Sequence, residues 1–296
     1  MRVRTLAALL LAGGLALTAC GKEGTPGDTG GSTGLFTVEK DVKVEGSPTF
    51  DKVKARGNLI IGVKEDQPGL GYKDPTTNKY SGFDIEIAKL MAAKLGFAED
   101  KIQFKTIQSA AREQAIINGD IDYYVGTYTI NAGRKEKVGF AGPYFQAGQD
   151  LLVKKDNSDI TGPDTLKGKK VCSATGSTPV KNLKEKGLVE PENIVEFQSY
   201  SQCVQKLLDG EVVAVSTDDA ILKGYASQEP EKLKVVGKTF SNEPYGIGVA
   251  KDDKALRTKF NDVLQAAFDD GTWQKIYDAT LGKSGAKAQH PAVDRY

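Results

Sequence analysis

The sequence predicts an α/β protein built from two similar lobes, and three observations carry this reading. From about residue 50, short β-rich runs alternate with stretches whose apolar residues recur at helical spacing. Two junctions, Ile117-Asn118-Gly119-Asp120-Ile121-Asp122 and Leu208-Asp209-Gly210-Glu211-Val212-Val213, repeat one pattern: helix end, Gly cap, acidic residue, apolar strand start. Each leads into a strand ending in Thr or Ser, at equivalent points of two βα series. With 296 residues the chain is long enough to bury a sizeable core.

The first segment belongs to export rather than to the fold. Residues 1–19 open with Arg2 and Arg4, continue through an apolar run over 6–17, and lead into Leu17-Thr18-Ala19-Cys20. Such a run is too short to span about 30 Å of hydrocarbon comfortably, whereas small residues before a Cys suit a signal peptidase acting on a lipidated thiol. The reading is a signal peptide over 1–19 and a mature chain beginning at Cys20, held by acyl chains at the outer face of the cell membrane. A plain signal peptide or a short anchor is the alternative. Residues 21–34 carry six Gly and no large apolar side chain, so burial cannot offset the entropy of ordering them, and 20–49 reads as a lipidated Cys and flexible tether.

Strands are expected at 59–63, 102–107, 121–127, 150–154, 170–173, 194–198, 212–216, 233–236 and 246–250. Between them Ile85, Ala88, Leu90, Met91 and Leu95 recur at helical spacing, as do Val204, Leu207 and Leu208, and two further helices are expected at 256–268 and 273–281. The lobes are then 50–147 plus 244–282 and 148–243, with a disordered tail at 283–296.

Composition removes several functions. Forty Lys and Arg against 39 Asp and Glu leave a net charge of +1, so no basic field exists to hold a nucleic acid. The one His, His290, lies in the polar tail, which excludes a His-based triad, a His-rich zinc site or a His general base. Gly30-Gly31-Ser32-Thr33-Gly34 matches the hydrolase elbow without its strand, helix or His, and Gly282-Lys283-Ser284 ends a P-loop that has no beginning. Both are chance matches. With Cys20 lipidated, Cys172 and Cys203 remain as an even pair in an oxidising setting, which favours a structural disulfide over two buried thiols or a redox pair. No metal or cofactor is expected.

In open α/β sheets a ligand sits at the carboxyl ends of the strands. Lys64-Glu65-Asp66 follows the first strand, Gln108-Ser109-Ala110-Ala111-Arg112 the second, and Thr127-Tyr128-Thr129-Ile130-Asn131 the third, with Arg134 one turn on. In the second lobe the corresponding segments are Ala174-Thr175-Gly176-Ser177-Thr178-Pro179 and Thr217-Asp218-Asp219. Thr178 as an N-cap before Pro179 would aim free amides at an anion. Arg134 can grip a carboxylate with both arms of its fork, and Asp218 can accept an ammonium. Together these describe an α-amino acid pocket. Singly, Arg134 could be solvated surface in a charged run, and Asp218 could merely cap the helix after it.

At these residues the chain resembles the bacterial extracellular solute-binding proteins of polar amino-acid ABC transporters (family 3 type), and within them the glutamate/aspartate-binding lipoproteins. The resemblance spans residues 50–282 and is carried by Tyr80-Ser81-Gly82-Phe83-Asp84, Thr127 to Arg134, Phe140-Ala141-Gly142-Pro143-Tyr144-Phe145, Thr175-Gly176-Ser177-Thr178, Thr217-Asp218-Asp219-Ala220 and Gly271-Thr272-Trp273. It implies a type II clamshell of two mixed sheets flanked by helices, closing on a free amino acid, glutamate before aspartate, and delivering it to ABC permease subunits. It implies that Arg134, Thr129, Ser177 and Thr178 take the α-carboxylate, that Asp218 accepts the ammonium, that Thr127 and Tyr128 line the pocket, and that Arg112 and Lys64 meet a side-chain carboxylate. Where some relatives carry a Lys near the second-lobe turn, this chain has Ala174.

The expectation is a monomeric, non-enzymatic, lipid-anchored receptor. A glutamine or broad polar amino-acid binder is the alternative of the same kind. A dehydratase of cyclic acids on the same fold, with Glu65 or Asp66 as acid or base, is the alternative of another kind, and a sensory or adhesive lipoprotein with a vestigial pocket is a third.

Overall fold

The computed structural model describes residues 35–284 and 288–296, so the expected signal peptide, Cys20 and residues 21–34 lie outside the described residues. Two five-stranded sheets form the body. In the first, strand Leu59–Val63 lies between Ile102–Thr106 and Tyr123–Tyr124 as a parallel trio. Glu243–Val249 continues it antiparallel to Tyr123–Tyr124, and Gly139–Ala147 closes it antiparallel to Glu243–Val249. In the second, Val171–Ala174 lies between Ile194–Phe197 and Ala214–Asp218, again a parallel trio, with Gln149–Lys154 and Leu233–Val235 antiparallel beyond it. The two sheets share one strand order, which is the duplication that the two Gly junctions predict.

The chain passes from the first sheet to the second between Ala147 and Gln149, and returns between Val235 and Glu243. The two passages run side by side: Phe240 N–H donates to the Gln149 carbonyl (2.9 Å) and Gln149 N–H to Ser241 Oγ (3.0 Å). Two adjacent ribbons with few bonds between them are what a hinge requires. Cys172 and Cys203 form a disulfide (S–S 2.07 Å) between the first strand of the second sheet and helix Tyr200–Asp209.

Strand Gly139–Ala147 is absent from the expectation because its Gly and Pro residues and burial at every position but Gln146 hide the alternation of a half-exposed strand. Its place at the sheet edge is where a Pro is tolerated. The expected strand at 121–127 contracts to Tyr123–Tyr124, because the chain turns at Thr127, whose φ is +47°. A small three-stranded sheet, Asp66–Gln67, Gly71–Lys73 and Tyr80–Ser81, is also new.

Both ends depart from expectation. The tether does not extend to residue 49: Leu35, Phe36 and Val42 pack on the core, Val44 is buried, and Ser47 caps helix Pro48–Arg56 while its hydroxyl donates to Asp253 (2.8 Å). Residues 288–296 are a strap rather than a disordered tail. His290 stacks on Phe268 (4.2 Å, 10°), Asp294 N–H donates to the Gly142 carbonyl (2.8 Å), and the Tyr296 hydroxyl receives the Phe140 N–H (2.8 Å). Gly, Ala and Lys suggest no order by composition, but the strap covers the edge of strand Gly139–Ala147, which would otherwise present unpaired backbone groups. Deleting residues 288–296 is expected to cost about 2 kcal/mol and lower Tm by about 4–8 °C in calorimetry. An unchanged Tm would show that the strap contributes nothing.

Candidate functional site

The first lobe presents three strand ends to the cleft. Lys64 follows Leu59–Val63, is buried, and donates from Nζ to Ser109 Oγ (2.8 Å). Arg112 opens helix Arg112–Ile117 after the turn that follows Ile102–Thr106. It is 2% exposed, donates from Nε to the Ser109 carbonyl (3.1 Å), and lies with its guanidinium carbon 4.3 Å from the Tyr128 ring centre. The Arg134 guanidinium carbon lies 4.9 Å from the same centre. The buried Tyr128 ring thus meets two guanidiniums, a favourable contact for the face of an aromatic ring.

Arg134 sits on the short helix Ala132–Lys135, started by Asn131, whose side chain accepts the Arg134 N–H (3.0 Å). Its Nη1 donates to the Thr129 carbonyl (2.8 Å) and, across the cleft, to Thr178 Oγ1 (3.0 Å), while Nε pairs with Glu113 (3.2 Å). Burial and the charge of Arg112 lower its pKa to about 10, which leaves it a cation at neutral pH. It is not the solvated surface Arg that its charged run allowed.

In the second lobe the helix start is one residue earlier than expected. Ser177 is the N-cap, accepting the Val180 N–H (3.3 Å), and Thr178 and Pro179 occupy the first turn of Thr178–Glu185. Asp218 ends strand Ala214–Asp218 and precedes helix Asp219–Gln228, yet its side chain makes no capping bond. Its Oδ2 accepts the Tyr245 hydroxyl (2.7 Å), and its Oδ1 has no partner among the described residues. Burial, then the neighbouring Glu243, raise its pKa to about 8. An orphaned acceptor on a buried carboxylate is poised for a cation that desolvates with it.

Electrostatically the two faces differ. Lys64 and Arg112 form no ion pair among the described residues, and burial followed by the Arg112 charge lowers the Lys64 pKa to about 7. The charges of Asp66 and Asp84 offset that lowering only in part. The first lobe therefore presents buried basic groups outside any ion pair among the described residues, and the second a buried carboxyl with one oxygen short of a donor, which together can receive a ligand that carries both an anionic and a cationic group.

The lobes meet around these groups. Ser109, Arg112, Thr127, Thr129, Thr178 and Asp218 surround a cavity of about 10 Å³, room for one water molecule, so a larger ligand enters only when the lobes part. Outside the cavity Asp66, on the small sheet, accepts the Ser201 N–H (3.1 Å) and the Tyr225 hydroxyl (3.2 Å), bonds between the lobes. That duty, joining the lobes, is not the one a dehydratase reading gives Asp66. Gly224 faces Pro68 so closely that a Cβ there would lie 2.3 Å from the Pro68 carbonyl oxygen.

Of the residues expected at the cleft, Arg112, Thr127, Thr129, Ser177, Thr178 and Asp218 line the cavity, Lys64 and Arg134 reach it through their bonds to Ser109 and Thr178, and Tyr128 lies against the guanidiniums of Arg112 and Arg134. Ser109, Glu113, Tyr200 and Tyr245 were not singled out. Ser109 and Glu113 were within reach, as neighbours of Arg112; Tyr200 and Tyr245 arrive through tertiary contacts with no local signal. Among the described residues no group of three or more His, Cys, Asp or Glu could hold a metal ion.

Comparison with known proteins places this geometry. Residues 59–283 match the family described as bacterial extracellular solute-binding proteins, family 3. A glutamine-binding protein of Geobacillus stearothermophilus is 42% identical over 251 residues, covering 84% of this chain and 92% of that one. The glutamate-binding protein GluB of Corynebacterium efficiens is 36% identical over 286 residues, 93% of this chain and 89% of that one. The solved structure of an ancestral arginine-binding protein bound to arginine superposes with a TM-score of 0.71 at 40% identity, over 77% of this chain and 99% of that one. The architecture is the type II periplasmic-binding fold.

Gly224→Ala is expected to hold the lobes apart and give a larger radius of gyration than wild type in small-angle scattering. An identical radius would mean that the helix slides aside at no cost.

Proposed function

The chain belongs to the bacterial extracellular solute-binding proteins, family 3, as an exported amino-acid receptor of an ABC importer and not an enzyme, and on that premise we propose that it is a lipid-anchored, monomeric receptor for glutamate. The observation that carries the choice of glutamate is the pair Lys64 and Arg112, both buried at the cleft and neither in an ion pair among the described residues. A buried cation without a counter-charge is costly, and a ligand carboxylate between the two relieves that cost in the closed state alone. Glutamine offers a neutral amide at the same place and relieves less.

In this reading Arg134, with Thr129, Ser177 and Thr178, takes the α-carboxylate, and the free Oδ1 of Asp218 takes the ammonium. Thr127 lies along the ligand, and the Tyr128 ring supports both guanidiniums. Closure follows because each lobe offers only part of these partners, so the ligand's charges are all met only when both lobes surround it. The acyl chains on Cys20 keep the receptor at the outer face of the membrane, where the permease lies.

Side-by-side calorimetric titrations with L-glutamate and L-glutamine test the reading. Wild type is expected to prefer glutamate by tenfold or more, and Arg112→Gln to erase that preference while keeping glutamine affinity. Arg134→Ala should weaken both ligands alike by about 3 kcal/mol, since both carry the α-carboxylate. Tighter binding of glutamine by wild type would contradict the glutamate assignment.

Asp218 adds a pH signature. With its pKa raised to about 8 it is largely protonated in the unliganded cleft at neutral pH, whereas an ammonium needs the carboxylate. Binding below about pH 8 therefore displaces a proton, and glutamine affinity is expected to fall by up to about tenfold per pH unit from about pH 8 to 6.5. Lys64, lowered to about 7, gains charge over the same range and offsets the fall only for a ligand with a side-chain carboxylate. A glutamine affinity independent of pH in Asp218-containing protein would remove this role.

A further inference from the structure

The segment Tyr80-Ser81-Gly82-Phe83-Asp84 has so far no part in the site, although Asp84 is fully buried beside it. Both of its oxygens are engaged: Oδ2 accepts the Thr127 N–H (3.0 Å) and Oδ1 the Tyr144 hydroxyl (2.8 Å). Burial raises its pKa to about 6, partly offset by those two bonds and by the charge of Lys64. Thr127 stands at φ +47°, a left-handed conformation in which a β-branched residue is strained. Its hydroxyl donates to Gln67 Oε1 (3.1 Å) and its carbonyl accepts Arg112 Nη1 (3.4 Å). Two residues on, the Thr129 carbonyl accepts Arg134 Nη1 (2.8 Å). This strained turn and the residue two positions on thus give each guanidinium one of its backbone acceptors, beside the Ser109 carbonyl for Arg112 and the Gly176 carbonyl for Arg134.

We propose that Asp84 is a positioning residue of the amino-acid site: by holding the Thr127 amide it keeps the turn left-handed, and through the turn it aims Arg112 and Arg134 without touching the ligand. Phe83, packed against Tyr144, Phe145, Trp273 and Tyr277, fixes the start of helix Phe83–Lys94 and with it the place of the carboxylate. Without Asp84 the Thr127 backbone relaxes toward negative φ, and each binding event must restore the strained turn. Glycine adopts a left-handed conformation without that penalty, so the need for Asp84 lies in residue 127 being Thr. The proposal rests on the amino-acid site described above but not on the choice between glutamate and glutamine.

A double-substitution cycle tests it: wild type, Asp84→Ala, Thr127→Gly and the two combined, each titrated with L-glutamate and with L-glutamine, with circular dichroism to confirm folding. Asp84→Ala is expected to lose about tenfold or more in affinity for whichever amino acid wild type binds, and the same change in the Thr127→Gly background about threefold or less. An equal loss in both backgrounds would overturn the proposal, because a general destabilisation is not relieved by a glycine at residue 127. If Asp84→Ala does not accumulate as folded protein, Asp84→Asn decides. It keeps an acceptor for the Thr127 amide and should bind within about threefold of wild type, whereas a loss of tenfold or more would overturn the assignment. A wild type that prefers glutamine would refute the glutamate reading and leave this cycle fully interpretable.

Discussion

Lys64 and Arg112 are buried in the first lobe with no ion-pair partner among the described residues, and the charges of Asp66 and Asp84 favour the charged form of Lys64 without overcoming its burial and the Arg112 charge. Ser109 meets both, through its hydroxyl and its carbonyl, and Arg112 and Arg134 both lie against the Tyr128 ring. These partners supply hydrogen bonds and a polarised ring face. In the proposed reading a ligand carboxylate completes the balance while the ligand's ammonium meets Asp218 and draws the second lobe down, so that binding and closure are one electrostatic event.

The fold makes that event possible by repeating one strand order in two sheets and joining them by two neighbouring ribbons. Each sheet aims the carboxyl ends of its parallel strands at the same cleft, so cations from one and a carboxylate from the other converge without any long loop having to be ordered. Away from the ligand, Asp66 with Ser201 and Tyr225, and the close approach of Gly224 to Pro68, fix how far the lobes can close.

Much of this was legible in the sequence because the relevant signals are local. The βα alternation, the two Gly-capped junctions and the polar residues after each strand gave the lobes and the cleft residues directly, and the Cys172–Cys203 pair followed from counting. Elements whose cause is tertiary stayed hidden. Strand Gly139–Ala147 carries Gly and Pro because it is a covered edge, and the strap over it gains its order from Phe268 and Gly142, far away in sequence. Residues 35–47 look like linker until Val42, Val44 and Ser47 find the core and Asp253. The role of Asp84 is the extreme case, since it depends on the backbone angle of a residue 43 positions away.

In the proposed reading, buried basic groups outside any ion pair in the first lobe select an acidic side chain. A crystal structure of the protein grown with L-glutamate tests it most directly. The account predicts the side-chain carboxylate within about 3 Å of both the Arg112 guanidinium and the Lys64 ammonium, with the ligand ammonium on Asp218 Oδ1. A glutamate side chain turned away from both cations, with Arg112 still resting on Ser109 and Tyr128 alone, would contradict it.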